Sequence, residues 1–511
     1  MNYDAIVIGA GHNGLTAAAL LAKGGRSTLL VERRAVLGGL AASEEFHPGY
    51  RTNGVLHETE GVRPWVVDAL DLGRHGLSRH DQAPPTLIPQ RDGGGLLLWR
   101  DPDKAAEELS AVSPGEADNY RDYRRFIDRL APVVTRLLDN PPPDIFEPGP
   151  GDILSLGRSA LALRLLGKRE MMEILRVAPM ALADWLDERF DSQLLQAALA
   201  GPAIQNTLTA PRSPASTANL LRGECLAGSP IKGGPAALIT ALERAAKACG
   251  VEIRTDATVA GLVGEAGRIS GVELAGGEAI QAKTVVASCD PKHLFMELLP
   301  PALISRGLEH SISVFRSRGT AAKVHLALAG FPELACRPDA RVASIRVGET
   351  LEELERAFDP IKYRKFSALP ILDIQVPTVE STDLAPKGHH VFSILVHFVP
   401  FELEGGWNDE ARSDLYSRAL ARLEGYAPGI SQLIVGQQVL TPQDLEGRYG
   451  VTGGHLHHGE HALDQLLVRP TPECARYSTP FEGLFLCGSG AHPGGGLTCA
   501  PGGLAARRIL G

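Results

Sequence analysis

The first 32 residues alternate between apolar runs and glycine-rich turns. Residues 3–8 (YDAIVI) are apolar and β-branched, as is typical of a buried parallel strand. A glycine turn follows, and then small apolar residues up to Gly24-Gly25 predict a helix. The run TLLV at 28–31 predicts a second strand that ends at Glu32. The pattern therefore predicts a strand–helix–strand unit.

The turn after the first strand reads GAGHNG, which is a GxGxxG pattern. Gly9 permits the tight turn, Gly11 lets backbone N–H groups approach a pyrophosphate, and Gly14 lets the helix pack closely on the strand. The helix N-terminus adds partial positive charge. Glu32 lies 18 residues after Gly14, where a carboxylate can accept ribose hydroxyls and disfavours a 2′-phosphate. The binding candidates of this unit are Gly9, Gly11, His12, Asn13, Gly14, Glu32 and Arg33.

A glycine pair, Gly38-Gly39, begins six residues after Glu32. The first turn alone permits NAD or FAD, and a plain NAD domain has no need for this pair. In flavoproteins similar to glutathione reductase and the amine oxidases, such a pair lets the chain run close to the pyrophosphate and the ribityl chain. That resemblance implies FAD. Leu40 is a departure, because many relatives have a basic residue after the pair.

The C-terminus has a second strand–glycine–helix pattern. An apolar strand at 484–487 leads into Gly488-Ser489-Gly490, and a final helix begins near Leu497 or Ala500. Glycines admit a close approach of the backbone, and a helix N-terminus stabilises negative charge. The pattern indicates a second part of the flavin site, with the candidates Gly488, Ser489, Gly495, Gly496 and Leu497.

Three motifs together resemble the phytoene desaturase superfamily: the GAGHNGL start, the ERRxxLGG element and the GSGxHPGGGxxxxPG ending. Residues 454–470 (GHxHHGExxLDQLLVRP) resemble the branch that holds bacterial carotene ketolases and pyridine nucleotide-disulphide oxidoreductase domain-containing proteins. The resemblance implies an α/β fold, with a Rossmann-like FAD-binding domain of the glutathione reductase/amine oxidase type, an inserted α+β substrate domain and a helical segment.

The resemblance also implies a discontinuous domain plan. The FAD-binding domain comprises 1–75, 223–298 and 478–511, the helical or lid segment is 76–222, and the substrate domain with a mixed sheet is 299–477. Within 223–298, a helix at 237–249 precedes several short strands, the last ending at Ser288. The superfamily sets a valine backbone of this region against the adenine, and here that residue is Val259.

Alternating apolar strands such as AAKVHLALAG and HHVFSILVHFVP predict a sheet with one buried face in 299–477. In the helical segment, Leu and Met recur at helical spacing across 152–177, among several Arg and Lys residues. We expect this apolar stripe to pack on the protein's own core. The alternative is a basic amphipathic helix that lies on an anionic membrane.

Histidines supply the catalytic candidates. His57 follows the glycine pair, and His455, His457, His458 and His461 form a cluster near the C-terminus. Imidazole is a common metal ligand, but the cluster has no matching acid or cysteine pattern, so we predict no metal site. We expect some of these side chains to line the flavin or substrate pocket. The acid–base candidates are His57, His455, His457 and His458.

The chain has 511 residues and a net charge of -9, which argues against nucleic acid as the main partner. Its seven cysteines include no CxxC pair, which favours a reducing, cytosolic setting. No secretory signal or run of about 18 apolar residues is present in the sequence. We expect a cytoplasmic protein, with membrane association as the alternative; the oligomeric state is not predicted.

The leading hypothesis is an FAD-dependent dehydrogenase that transfers hydride from a substrate carbon to flavin N5 and introduces a double bond. The resemblance implies an apolar substrate such as a polyene or isoprenoid. Reoxidation by oxygen or a quinone-type acceptor is expected, because no second nucleotide cradle is visible. One alternative is an amine oxidase, which would need an aromatic cage in a chain with 5% aromatic residues. The other is a non-catalytic flavoprotein binding module.

Overall fold

A computed structural model describes residues 2–144 and 148–511. Met1, where the first predicted domain segment begins, and residues 145–147 of the predicted helical segment lie outside the described residues. The strands are β1 (Asn2–Ile8), β2 (Thr28–Val31), β3 (Glu45–His47), β4 (Tyr50–Arg51), β5 (Thr86–Pro89), β6 (Gly95–Leu98), β7 (Glu252–Arg254), β8 (Val259–Glu265), β9 (Arg268–Leu274), β10 (Ala279–Ala287), β11 (Ala321–Leu328), β12 (Ser344–Val347), β13 (Leu372–Gln375), β14 (His390–His397), β15 (Ile434–Leu440) and β16 (Leu484–Leu486).

The helices are α1 (His12–Lys23), α2 (Pro64–Ala69), α3 (Pro102–Val112), α4 (Glu116–Leu138), α5 (Pro150–Leu165), α6 (Lys168–Val177), α7 (Leu182–Asp187), α8 (Gln193–Ile204), α9 (Ser216–Leu226), α10 (Gly234–Ala248), α11 (Arg306–Val314), α12 (Leu351–Phe358), α13 (Asp409–Glu424), α14 (Ile430–Leu433), α15 (Pro442–Tyr449) and α16 (Ala500–Leu510). The helices and strands predicted around both glycine motifs are therefore present.

The first sheet has the strand order β7-β2-β1-β10-β9-β8, and β16 pairs with β10. β1 is parallel to β2 and β10, and β16 is parallel to β10. β1 is central, and its Ile6 and Val7 are fully buried, as its apolar run predicts. All three predicted segments of the FAD-binding domain contribute strands. The predicted α/β fold with a Rossmann-like domain is confirmed.

The two ends of the chain meet where α16 packs on α1. Ala17, Ala18 and Ala19 of α1 have no exposed surface. A Cβ atom at Gly502 in α16 would lie 2.1 Å from the carbonyl oxygen of Asn13. The small residues on both helices therefore permit the close approach that places the C-terminal glycine loop beside the N-terminal turn.

The second sheet has the order β15-β11-β14-β13-β12-β5-β6. Alternate residues of β11–β14 enter an apolar core on one face, among them Val324, Ile345, Ile374 and Ile394. The residues that alternate with these along the strands lie on the opposite face of the sheet. Its polar and charged members form what we call the polar face: Lys323, His325, Ser344, Arg346, Asp373, Gln375, Ser393 and His397. The predicted alternation is present.

The expectation of a sheet with one buried face is nevertheless wrong for β11, because all eight of its residues are buried. Lys323 and His325 are each 1% exposed. The polar face therefore points into the protein, where each charged group needs a partner or a shifted pKa.

Two predicted domain boundaries also need correction. The segment 76–222 is not wholly helical, because β5 and β6 form a hairpin and β5 pairs in parallel with β12, which extends the second sheet. In the segment 299–477, Leu308 and Ile312 of α11 pack in the core of the FAD-binding domain. Apolar contacts across the predicted junctions therefore join the regions more closely than the sequence indicated.

The helical segment packs in an apolar core that includes Tyr123, Trp185 and Val177 and that it shares with α12 of the segment 299–477. In α5 no side chain is buried. The expectation that the apolar stripe of 152–177 packs on the core is therefore wrong for α5, although it holds for Val177 at the end of α6. Within the described parts of the chain, no helix is both long and apolar enough to span a membrane.

Candidate active site

The carboxyl ends of the parallel strands border a cleft that we call the cofactor cleft. It encloses about 1070 Å³ of empty space, including its open mouth. Gly9 follows β1, Glu32 follows β2 and Ser288 follows β10, so all three line this edge. Ligands of open α/β sheets bind at such an edge. The predicted residues that line the cleft are Gly9, Gly11, His12, Asn13, Glu32, Arg33, Gly38, Gly39, Val259, His458 and Ser489.

The glycines of the first turn have the geometry that their pattern predicts. Gly9 has φ +94°, which favours glycine. A Cβ atom at Gly14 would lie 1.9 Å from the Gly9 carbonyl oxygen, so the helix can pack this closely only with glycine there. A Cβ atom at Gly11 would meet no protein atom within 4 Å. Because Gly11 lines the cleft, a larger side chain there would enter the ligand space.

Hydrogen bonds of Glu32 and of Gly38 hold the rim of the cleft in place. Glu32 is 7% exposed, and its carboxylate accepts hydrogen bonds from the backbone N–H of Ala10 at 2.8 Å and of Arg34 at 3.0 Å. The backbone N–H of Gly38 donates to the Ala10 carbonyl at 2.9 Å. Gly38 has φ +110°, and a Cβ atom there would lie 3.1 Å from Ala42. The glycine pair therefore holds the chain against the first turn.

A hydrogen bond joins the two ends of the chain at the cleft. The side-chain amide of Asn13 donates to the Ser489 hydroxyl at 3.1 Å. Within residues 2–144 and 148–511, three buried atoms have no hydrogen-bonding partner: Asn13 Oδ1, His12 Nε2 and His458 Nδ1. Buried polar atoms are normally paired, so these atoms are consistent with a polar ligand in the cleft. The glycine approach, the ribose-binding acid and the unpaired polar atoms all fit FAD.

The remaining C-terminal candidates border neighbouring spaces. Gly496 and Leu497 line a second cavity of about 550 Å³, the inner cavity, together with His57 and His457. The inner cavity and the cofactor cleft share Leu56 and Leu456 in their walls. Gly495 lines a larger chamber. Gly488 lines none of these three spaces, and a Cβ atom there would lie 2.4 Å from the Ser288 carbonyl oxygen.

The polar face of the second sheet forms one wall of the inner cavity. Lys323, Asp373, Gln375 and Leu395 all line it. The strand register sets Arg346 beside Asp373, Asp373 beside Leu395, and Leu395 beside Lys323. Four strands therefore place a row of side chains, with Lys323 at one end and Arg346 at the other, under the inner cavity.

Asp373 has partners on all sides. It accepts hydrogen bonds from Arg346 Nε at 2.6 Å, His397 Nε2 at 2.7 Å and Gln205 Nε2 at 3.0 Å. Although burial acts in the opposite direction, Arg346 and His397 hold the pKa of Asp373 well below its usual range. Asp373 is therefore a fixed negative charge that organises the wall.

Lys323 and Glu58 are two groups of the inner cavity with pKa values near neutrality. Burial lowers the pKa of Lys323 to about 7, against the opposing effect of Asp373. Lys323 has no hydrogen-bonding partner within the described residues. Enclosure by the walls of the two cavities and the charges of Glu60 and Asp373 raise the pKa of Glu58 to about 7, although its side chain keeps solvent-accessible surface. An amine and a carboxyl that both titrate near neutrality are suited to acid–base work.

The histidine candidates divide by position. His57 lines the inner cavity, and its Nε2 shares a hydrogen bond of 2.8 Å with Ser393 Oγ, which lies 3.0 Å from His325 Nδ1. His457 lines the inner cavity and the chamber. His455 is fully buried, lines none of the three spaces, and accepts from the backbone N–H of His457 at 3.2 Å. His455 therefore faces none of the three spaces, and its predicted acid–base role stays a prediction.

Burial lowers the pKa of each clustered histidine, so these rings are neutral at physiological pH. The rings of His457 and His461 stack with centroids 4.7 Å apart. Across 2–144 and 148–511, no group of three or more His, Cys, Asp or Glu residues is arranged to hold a metal ion.

The chamber encloses about 1560 Å³ beside the inner cavity and shares Glu58, Gln205 and His457 with it. Its wall combines apolar side chains of α8 with charged ones. The apolar residues include Leu98, Ala198, Leu199, Pro202, Ala203 and Leu220. The charged residues are Glu58, Glu60, Arg100, Arg124, Arg222, Glu224 and Arg346.

Sequence reasoning missed Lys323, Asp373, Glu58 and Arg346. Two signals were available: the Lys within the apolar run AAKVHLAL, and the Asp within ILDIQV. A charged residue inside a strand that is otherwise apolar is costly unless it is paired or functional. Their convergence depends on strand register, which single runs do not reveal.

This fold and cleft define a Rossmann-type flavoprotein oxidoreductase. Residues 7–65 match the family described as NAD(P)-binding Rossmann-like domain, and residues 106–508 match the family described as Flavin containing amine oxidoreductase. The chain belongs to the flavin-containing amine oxidoreductase family. It is an FAD-dependent oxidoreductase, so the alternative of a non-catalytic binding module is not supported.

Relatives extend over nearly the whole chain. "Pyridine nucleotide-disulfide oxidoreductase domain-containing protein 2" of Rattus norvegicus is 34% identical, with 99% of this chain and 93% of the relative covered. A limonene dehydrogenase subunit of Castellaniella defragrans is 27% identical, with 99% and 94% covered. "zeta-carotene-forming phytoene desaturase" of Myxococcus xanthus is 25% identical, with 96% and 90% covered. The resemblance to the phytoene desaturase superfamily is confirmed.

Among solved structures, an oxidoreductase from Methanosarcina mazei has a TM-score of 0.61 at 17% identity, and the match covers 100% of both chains. Cyclohexylamine oxidase from Brevibacterium oxydans has a TM-score of 0.57 at 14% identity, with 100% of this chain and 99% of the other covered. At these identities the likeness shows a shared fold.

Proposed function

We propose that this protein is an FAD-dependent dehydrogenase whose substrate binds in the chamber and reacts at the inner cavity. Bound FAD supplies the hydride acceptor, at flavin N5. Lys323 takes up the proton that the substrate loses with the hydride, so the substrate gains one double bond. The observation that supports this most directly is a fully buried, unpartnered Lys323 with a pKa of about 7 on the wall of the inner cavity.

The residues around Lys323 prepare it for that role. Because burial lowers the pKa of Lys323 to about 7, the unprotonated amine forms near neutral pH, and an unprotonated amine can accept a proton. Asp373 does not compete, because Arg346 and His397 already neutralise it. The Glu58 side chain lines both the inner cavity and the chamber. It can therefore exchange protons with groups in either space.

The chamber wall favours an amphipathic substrate. The apolar side of α8 suits a hydrocarbon skeleton, and a relative that is named as part of a limonene dehydrogenase supports oxidation of such a skeleton. A wholly apolar polyene would leave the charged groups of the wall without water or partners, which is costly. We therefore propose an isoprenoid-like substrate with at least one hydrogen-bonding group. Oxygen or a quinone-type compound is the proposed electron acceptor.

An amine oxidase is less well supported. Amine oxidation on this fold would need aromatic side chains around the reacting amine, and among the residues that the structure describes no Phe, Tyr or Trp lines the inner cavity. In the adjoining spaces, Trp99 and Tyr120 line the chamber and Tyr449 lines the cofactor cleft. The alternative is still tested below, because the family includes amine-oxidising enzymes by name.

The test is anaerobic bleaching of the bound flavin by three compounds with one monoterpene skeleton: the hydrocarbon, its alcohol and its primary amine. We expect the alcohol to bleach the flavin fastest. Faster bleaching by the hydrocarbon would contradict the need for a polar group. Bleaching by the amine alone would establish the alternative.

A further inference from the structure

The helix α5 and the following α6 form an arm, residues 150–176, with an unusual surface. α5 has sixteen residues and no buried side chain. Soluble proteins seldom leave so many large apolar side chains of one short segment exposed. The exposed fractions of the large apolar side chains are 60% for Ile153, 54% for Leu154, 42% for Leu156, 56% for Leu161, 76% for Leu165, 54% for Met172 and 58% for Leu175.

The arm carries more positive than negative charge. Its acidic residues are already engaged: Asp152 with Arg476, and Glu170 with Arg129. Glu173 binds Arg176 and Arg189. Four exposed cations have no acidic partner in the described part of the chain: Arg158, Arg164, Lys168 and Arg169. The arm therefore combines exposed leucines with unpaired positive charge.

The arm is anchored at both ends to the rest of the protein. At its start, Arg476 Nη1 lies 3.2 Å from Asp152 Oδ2. At its end, Ile174 and Val177 pack in the helical core. That core includes α4, α8 and α9, whose side chains form part of the chamber wall. The arm is thus a fixed projection from the region that encloses the chamber.

We propose that the arm docks on an anionic phospholipid surface. The Leu, Ile and Met side chains enter the boundary between headgroups and acyl chains, and the four cations contact lipid phosphates. A second copy of this chain is a poorer occupant, because a two-fold contact of the same face would bring its unpaired cations together. The docking does not depend on the proposed reaction.

The experiment is co-sedimentation of the FAD-loaded full-length protein with phosphatidylcholine vesicles, with and without phosphatidylglycerol. One variant combines Arg158→Gln, Arg164→Gln, Lys168→Gln and Arg169→Gln. The matched control removes the same charge elsewhere, at exposed cations that have no acidic partner among the described residues: Arg26→Gln, Arg306→Gln, Lys387→Gln and Arg508→Gln. A third variant combines Leu154→Ser, Leu161→Ser and Leu165→Ser.

We expect wild type and control to bind the anionic vesicles alike, and both arm variants to bind them at least tenfold more weakly. Folding is not at risk, because the altered side chains are exposed, and retained FAD verifies it. The proposal is overturned if wild type binds anionic vesicles no better than neutral ones, or if the control loses as much binding as the arm variants. It is also overturned if the leucine variant dissociates a dimer while vesicle binding is unchanged.

Discussion

The cofactor cleft and the polar face of the second sheet adjoin each other, yet they are built on opposite principles. The cleft lies at the carboxyl ends of strands, where five glycines bring the backbone to its surface beside polar side chains such as Glu32 and Asn13. The polar face consists of polar and charged side chains from four paired strands, set in register. In the cleft, we expect the shape of the backbone to contribute most to cofactor binding. On the polar face, we expect the chemical groups of the side chains to act on the substrate. Substitutions in the two regions should therefore fail in different ways.

The largest expected effect is at the first turn. Gly11→Val places a branched side chain in open cleft space, so we expect FAD affinity to fall by at least about 100-fold, or about 2.7 kcal/mol. Flavin absorbance of the purified protein measures it. Gly276→Val is the matched control, because a Cβ atom there also meets nothing within 4 Å but lies outside the cleft. Full flavin content in both variants would remove the proposed role of the turn.

Lys323→Met should leave the cofactor in place and slow its reduction by substrate by roughly 10²–10⁴-fold, the usual contribution of a general base. The same change should raise the melting temperature at pH 7. The folded-state pKa of Lys323 is about 7 and the unfolded value is about 10.4, so the unfolded chain binds the extra proton between these values. The free energy of unfolding of the wild type therefore rises with pH between these two pKa values. The stabilisation that Lys323→Met provides becomes smaller over the same pH range.

The readouts for Lys323→Met are anaerobic flavin bleaching and calorimetry. Lys387→Met, at an exposed lysine, should change neither. A slower rate together with a lower melting temperature would indicate a structural lysine, and would contradict the assignment.

Arg346→Met tests whether the polar face is a connected unit. Removal of Arg346 leaves Asp373 buried and charged with weaker partners, so we expect the free energy of unfolding to fall by about 3–5 kcal/mol. Denaturant unfolding measures it. Arg356→Met removes an exposed ion pair with Glu352 and should cost at most about 1 kcal/mol. Equal costs at the two sites would mean that Asp373 does not depend on Arg346.

The smallest effect is at the rim of the cleft. Glu32→Ala should weaken FAD binding by about 1–3 kcal/mol, as expected for a lost charged hydrogen bond. Titration of the apoprotein with FAD measures it, and Glu265→Ala, at an exposed strand end, is the control. An unchanged dissociation constant would remove the ribose-binding role of Glu32.

The same contrast explains what the sequence could predict. The cofactor half was predictable because each signal is local: Gly9, Gly11 and Gly14 lie in one turn, and Glu32 ends the next strand. The polar face was not, because Lys323 and Asp373 become neighbours only through pairing across β14. His455 attracted attention as part of a motif, although it lies in the interior.

The arm shows a further limit of sequence reasoning. Its leucines recur at helical spacing, and only the folded chain reveals that no side chain of α5 is buried. Likewise, the short strands β5 and β6 gave no clear signal before their pairing with β12 was visible. Periodicity identifies an apolar surface, but the tertiary structure decides what it faces.

The most direct test of the account is the pH dependence of anaerobic flavin bleaching, with the compound that reacts fastest in the three-compound panel. If Lys323 accepts the proton, the rate should rise about tenfold per pH unit below about 7 and level off above it, and this dependence should vanish in Lys323→Met. The same profile in wild type and variant would contradict the claim that the polar face supplies the base beside the flavin.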